Sequence, residues 1–180
     1  MAEQATEPGS TAAHGQAQRT GLDTNSLFPF PLDAFQLDAI DALNQGHSVV
    51  VSAPTGSGKT LIGEYAIHRA LAHQQKVFYT TPLKALSNQK LRDFREQFGT
   101  ENVGLMTGDL SVNRDASIVV MTTEIFRNML YAEADEQDDP LADVEAVVLD
   151  ECHYMNDSQR GTVWEAVSYT HLTLPTIVSV

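Results

Sequence analysis

The sequence predicts an α/β domain with a mostly parallel sheet and helices on both faces. Three observations predict it. Strand-like apolar runs alternate with segments of helical periodicity from Val49 to Leu149. The first of those runs, Val49-Val-Val, breaks into a glycine-rich turn, Ser52-Ala-Pro-Thr-Gly-Ser-Gly-Lys-Thr60. The last, Val147-Val-Leu, delivers two adjacent carboxylates, Asp150 and Glu151. In such a sheet ligands bind at the carboxyl ends of the strands, which is where both polar segments fall.

Length and composition bound the rest. A chain of 180 residues suffices for one well-cored domain, and 42% hydrophobic with 19% charged residues is the composition of a soluble globular protein. No apolar run approaches the roughly 18 residues of a membrane helix. The N-terminus lacks the charged-then-apolar order of a secretory signal, so a cytoplasmic location is expected. The single cysteine, Cys152, excludes an internal disulfide and suits a reducing compartment. A net charge of −13 argues against a surface that is basic all over, though not against a local basic groove.

In chain order, residues 1–26 are rich in Ala, Gln, Thr, Gly and Glu and are expected to be a disordered leader. Leu27 to Asp33 reads as a stiff aromatic lead-in, and Asp33 can cap a helix from about Ala34 to Gln45 that stops at Gly46. Phe35, Ile40 and Leu43 give that helix an apolar face. Packing is the expected role of Phe28, Phe30 and Phe35, with stacking of one of them on a nucleobase as the alternative. After the loop, Leu61, Ile62, Tyr65, Ala66 and Leu71 recur at helical spacing until about His73, and Lys76 to Thr80 reads as a strand. A helix from about Lys84 to Phe98 follows, with Leu91, Phe94 and Phe98 inward and Lys84, Lys90, Arg92 and Arg95 largely outward. Strands at Val103 to Met106 and Ile118 to Met121, a helix from Glu124 to about Tyr131, and a strand at Ala146 to Leu149 complete the pattern. Between them, Glu133 to Glu145 holds seven acidic residues and no basic one, which reads as a solvated loop.

The glycine-rich turn has the makings of a phosphate-binding loop. Gly56 and Gly58 permit backbone angles that gather N–H groups around one anion, and the following helix adds its positive end. Lys59 would then sit among the β- and γ-phosphates, with the Thr60 hydroxyl on Mg²⁺. The pattern G-x-x-x-x-G-K-[ST] wants glycine where this chain has Ala53. Asp150 would hold Mg²⁺, directly or through water, and Glu151 would orient and deprotonate the water that attacks the γ-phosphate. Together the two segments point to nucleotide hydrolysis. His14, His47, His68, His73 and His171 show no metal-ligand spacing, and Cys152 reads as a small packing residue rather than a nucleophile.

APTGSGKT at 53–60, TTPLKALSNQK at 80–90, TGD at 107–109, TTEIFRNML at 122–130 and DECH at 150–153 stand in the order of a superfamily-two DExH-box helicase, which the chain resembles from about Phe28 to Glu165. PLKAL, TTE and DECHYMND look most like the superkiller (Ski-like) group of RNA helicases, which has cyanobacterial and chloroplast relatives. The resemblance implies a three-layer RecA-like domain that binds ATP and Mg²⁺ and acts on single-stranded RNA, with DNA as the alternative substrate. It removes the objection to Ala53, common in that superfamily. It places Phe35 and Gln36 at the adenine, Thr55, Gly56, Ser57, Gly58, Lys59 and Thr60 at the phosphates and magnesium, and His153 in coupling the nucleotide site to the rest of the machine. Pro82, Lys84, Ala85, Thr107, Gly108, Thr122, Thr123 and Glu124 fall where relatives hold the backbone of one nucleic-acid strand. Backbone N–H groups, hydroxyls and a few cations suit that task because they bind phosphates without reading bases. Simple helix caps at Thr122 and Thr123, and a solvated face from Lys84 to Arg95, are the plainer alternatives.

The chain also departs from that family. Such a helicase needs a second RecA-like domain, with ATP in the cleft between the two and an arginine from the second, and neither it nor the Ser-Ala-Thr motif of the first domain's next strand is found. Val167 to Thr176 can be encoded by GTC TCT TAT ACA CAT CTG ACG CTG CCG ACG, which looks like a sequencing adapter read through as coding sequence. The expected organisation is therefore a leader at 1–26, a truncated ATP-binding domain at 27–166 and a non-native tail at 167–180, with the sheet lacking its last strand and carrying an open edge. On that basis the 180-residue polypeptide alone is expected to bind nucleotide and nucleic acid without turnover.

Overall fold

A computed structural model describes residues 21–132, 141–152 and 174–180. Within the expected leader, residues 21–26 are structured. Asp23 accepts a hydrogen bond from the Asn25 N–H (3.1 Å) and caps a one-turn helix, α1 (Thr24–Leu27). The Leu22 N–H donates to the Tyr65 hydroxyl (3.0 Å), which donates to Asn44 Oδ1 (2.8 Å). Leu22 and Leu27 pack on the core, so two leucines and one cap order a stretch whose composition alone suggests disorder.

Helix α2 (Ala34–Asn44) starts at Asp33, whose N–H donates to the Gln36 side chain (2.9 Å), and stops at Gly46, whose φ of 82° few other residues adopt. Strand β1 (Val49–Val51) feeds the loop, and helix α3 (Thr60–Ala72) follows it. Strand β2 (Lys76–Thr81) leads to helix α4 (Lys84–Phe98), which ends at Gly99 (φ 90°). A 3₁₀ turn (Thr100–Asn102) precedes strand β3 (Val103–Met106). The two-residue strand β4 (Ser111–Val112), too short for any periodicity to announce, folds back antiparallel on β3. Strand β5 (Ile118–Thr122), helix α5 (Thr123–Ala132), strand β6 (Val144–Leu149) and strand β7 (Thr176–Ser179) complete the described elements.

The sheet has the order β1-β7-β6-β2-β5-β3-β4, parallel throughout except for β4. Alternate residues of each central strand feed two cores. Val77, Tyr79, Ile118, Val120, Ala146 and Val148 pack under α2, α3 and α4 with Ile40, Ile62, Tyr65 and Phe94. Phe78, Val119, Met121, Val147 and Leu149 face the other way, with Phe126 and Leu130 of α5. Because both faces are covered, these strands read as continuous apolar runs rather than as alternations. Each fully buried aliphatic or aromatic side chain contributes about 1.5–3 kcal/mol.

Three expectations are corrected here. The sheet does not end at β6 with an open edge: β7 lies between β1 and β6, with Val178 opposite Val50 and Ile177 opposite Val148. Thr176-Ile-Val-Ser is short, largely β-branched and buried, which suits a slot between two valine-rich parallel strands. The acidic segment is not solvated throughout, for Glu145 is buried in β6. Arg69 Nε donates to its Oε1 (2.7 Å), a second Arg69 nitrogen donates to the Leu43 carbonyl, and His73 Nδ1 lies 2.7 Å from Oε2. Lys90, expected to point outward, has a side chain only 19% exposed, lying over the rings of Tyr79 and Phe94. Most of the acidic segment, residues 133–140, lies outside the described residues. Among the described residues no helix is long and apolar enough to cross a membrane.

Candidate nucleotide-binding site

The loop after β1 and the end of β6 meet at the carboxyl edge of the sheet, around a cleft of about 560 Å³ lined by Ala53 to Gly56, Gly58, Lys59, Thr60, Asp150 and Glu151, with Ser179 and Val180 on its rim. The loop is left-handed at Gly56 (φ 84°) and Gly58 (φ 81°), so its N–H groups are free to converge without a Cβ in the way. A Cβ at Gly58 would also fall 2.7 Å from Gln36 Nε2. Lys59 immediately precedes α3 and folds its amine back to donate to the carbonyls of Ala53 and Pro54, the latter at 3.2 Å. Ser57 Oγ is buried without a hydrogen-bond partner among the described residues, as in a cradle shaped for an acceptor-rich guest.

Asp150 is 6% exposed and fixed at both oxygens. Tyr79 Oη donates to Oδ2 (2.6 Å), the Glu151 N–H donates to Oδ1 (3.0 Å), and Lys90 Nζ stands 3.7 Å from Oδ2. Burial first, and then the neighbouring Asp150 charge, push the Tyr79 hydroxyl well above its ordinary range, so it remains a donor. Glu151 has φ 55°, a left-handed conformation costing a non-glycine residue on the order of 1–3 kcal/mol, and it lines the cleft. Cys152 is buried and donates to the Leu149 carbonyl (3.2 Å). Burial, then Asp150 and Glu151, push its thiol up to about 12, so the thiolate a nucleophile needs is scarce. Burial also raises Glu64 on α3, against the opposing influence of Gln97 and Lys90.

The other expected residues divide. Gln36 is buried, and its amide nitrogen donates to the Gly58 carbonyl (3.1 Å), tying α2 to the loop. Phe35 does not line the phosphate cleft but a separate groove of about 280 Å³ beside β1, with Asp38, Ala39, Ala42 and Val49 to Ser52. His153 lies outside the described residues. Pro82, Lys84 and Ala85 follow β2, Thr107 and Gly108 follow β3, and Thr122 to Glu124 join β5 to α5. Because β2, β5 and β3 are neighbours, these segments form one rim continuous with the cleft. Lys84 Nζ sits 2.8 Å from Asp109 Oδ1, which also accepts from the Thr107 hydroxyl (2.9 Å). Lys84 first and then Thr107 hold the Asp109 carboxyl below its usual range. Thr123 Oγ1 is buried without a partner among the described residues, so it does not cap α5. Tyr79 and Lys90 were not legible as site residues, since one reads as a core aromatic and the other as a helix-surface cation until α4 is laid on β2.

Comparison with known proteins agrees with this arrangement. The DEAD/DEAH box helicase profile matches residues 33–178. The chloroplastic DExH-box ATP-dependent RNA helicase DExH15 of Arabidopsis thaliana is 58% identical over 79% of this chain, and the antiviral helicase SKI2 of Saccharomyces cerevisiae is 54% identical over 78%. The chain spans only 12% and 11% of those relatives' own lengths. The solved structure of Mycobacterium smegmatis helicase Lhr bound to ssDNA and AMP-PNP is 28% identical, with a TM-score of 0.63 over 87% of this chain and 23% of that one. With the loop, the carboxylate pair and the strand order joined on one sheet edge, this chain belongs to the DEAD/DEAH box helicase family, and its relatives include Ski2-like DExH RNA helicases.

Proposed function

We propose that the chain is the ATP-binding RecA-like domain of an ATP-dependent RNA helicase, which couples ATP hydrolysis to binding and unwinding of nucleic acid. The observation that carries this reading is the convergence of Lys59, Thr60, Asp150 and Glu151 on one cleft. The residues fit MgATP: a glycine cradle for phosphates, a buried serine hydroxyl without a partner, a hydroxyl at the first position of α3, and an oriented carboxylate. When bound, Mg²⁺ would neutralise phosphate charge and help align the reacting oxygens.

In this reading the loop N–H groups and the start of α3 hold the phosphates, and the Lys59 amine exchanges the Ala53 and Pro54 carbonyls for phosphate oxygens. Thr60 and Asp150 would hold the metal. Glu151, displayed by its left-handed backbone, orients water and takes its proton. His153 would pass the state of this site to the rest of the protein. Gln36, already bonded to the loop, faces adenine with Phe35 beside it. Lys84, Thr107, Thr122, Thr123 and Glu124, with the backbone of Pro82, Ala85 and Gly108, hold the sugar-phosphate backbone of single-stranded RNA. A second RecA-like domain of the parent protein closes the cleft. The single buried thiol suits a reducing, cytoplasmic setting.

The named RNA helicases among the relatives favour RNA, whereas the ssDNA in the Lhr structure favours a DNA translocase as the second reading. ATPase assays on the full-length protein, with single-stranded RNA and DNA at matched salt, separate them. Greater stimulation by RNA is expected, and equal or greater stimulation by DNA would transfer the assignment to the second reading.

A further inference from the structure

Lys90 lies six residues beyond Lys84, about 9 Å along α4, and turns inward instead of following Arg92 into solvent. Its ammonium lies 5.4 Å from the centre of the Tyr79 ring and 5.8 Å from that of Phe94, and 3.7 Å from Asp150 Oδ2. Glu64 of α3 feels the same charge. A lysine 19% exposed, facing a carboxylate that is itself 8% exposed in its side chain, is a pair largely withdrawn from water, where Coulomb interactions are screened least. Tyr79 already supplies Oδ2 with a hydrogen bond at 2.6 Å, so orientation of Asp150 does not require a second donor. Lys90 adds positive charge beside the carboxylate expected to meet a divalent cation.

We propose that Lys90 is a positioning residue that acts as the resident counter-ion of Asp150: it stands beside the buried carboxylate without metal and opposes Mg²⁺ when the metal arrives. The inference rests on the reading of this cleft as a MgATP site. Two roles that resemble each other in a static structure separate by sign. A lysine that merely braced the site would weaken metal binding when lost. A counter-ion competing for the same oxygen strengthens it.

Lys90→Met keeps an unbranched apolar side chain beside the two rings and removes the charge, and Lys90→Arg restores a cation. The affinity of the full chain for a fluorescent ADP analogue is measured in excess Mg²⁺ and in EDTA, and the ratio of the two reports the metal's contribution. The ratio is expected to rise about fivefold in Lys90→Met, as loss of one nearby like charge predicts, and to stay within about twofold of wild type in Lys90→Arg. An unchanged or smaller ratio in a Lys90→Met protein of wild-type circular dichroism overturns the proposal. Absence of analogue binding to the wild type would overturn the nucleotide reading instead. Lys90 is then judged on Mn²⁺ binding alone by electron paramagnetic resonance, with tighter binding by Lys90→Met supporting the proposal and equal or weaker binding overturning it.

Discussion

Glu151→Gln is expected to lower ATP turnover by the full-length helicase at least about 10²-fold, the scale of a lost general base, while leaving MgATP affinity within about threefold of wild type. The separation follows from geometry. Glu151 lines the cleft at the end of β6, yet the groups proposed to hold the phosphates and the metal are the loop, Lys59, Thr60 and Asp150. Glutamine preserves size and suits the left-handed backbone, so what is lost is the carboxylate's charge and its capacity to take a proton. Single-turnover hydrolysis beside equilibrium binding of a fluorescent ATP analogue checks both halves. Unchanged turnover would remove Glu151 from the mechanism, whereas equal loss of turnover and binding would make it a ligand rather than a base.

The second large effect concerns stability, at the opposite end of β6. Arg69→Met is expected to destabilise the domain by about 3–5 kcal/mol, because it leaves the Glu145 carboxylate buried without its guanidinium partner. It also removes a donor from the Leu43 carbonyl in the last turn of α2. For a chain of this size that lowers the melting temperature by about 2–4 °C per kcal/mol. Pairing Arg69→Met with Glu145→Leu removes the buried carboxylate together with its guanidinium partner, so the double variant is expected to recover part of the loss. Thermal unfolding of the single and double variants tests this, and additive losses would show that the ion pair is not the source.

The features that could be read from the residues are those with local causes. The turn from β1 through Gly56 and Gly58 to Lys59, the cap at Asp33, the stop at Gly46 and the limits of α4 all follow from backbone preference or helical periodicity. The two cores follow from apolar strands covered on both faces. What escaped depended on partners distant in sequence. Glu145 reads as part of a solvated acidic stretch until Arg69, 76 residues away, is brought beside it. Lys90 reads as a surface cation until β6 places Asp150 behind it. Strand β4 is two residues long and exists only because β3 offers an edge. Thr176 to Ser179 was set apart by the unfamiliar sequence leading up to it, but those four residues have the β-branched character that the gap between β1 and β6 accepts. Gln36 was expected at the adenine, while its grip on the Gly58 carbonyl needed coordinates.

The central claim is that the loop from Ala53 to Thr60, with the carboxylates at the end of β6, forms a MgATP site. Its most direct test is equilibrium binding of a fluorescent ATP analogue, in the presence of Mg²⁺, to the full chain and to Lys59→Ala. The account predicts saturable binding by the wild type, displaced by unlabelled ATP, and a loss of at least about tenfold in Lys59→Ala, as removal of a charge-assisted contact to phosphate requires. Absence of binding by a folded wild-type protein, or equal binding by the variant, would contradict it.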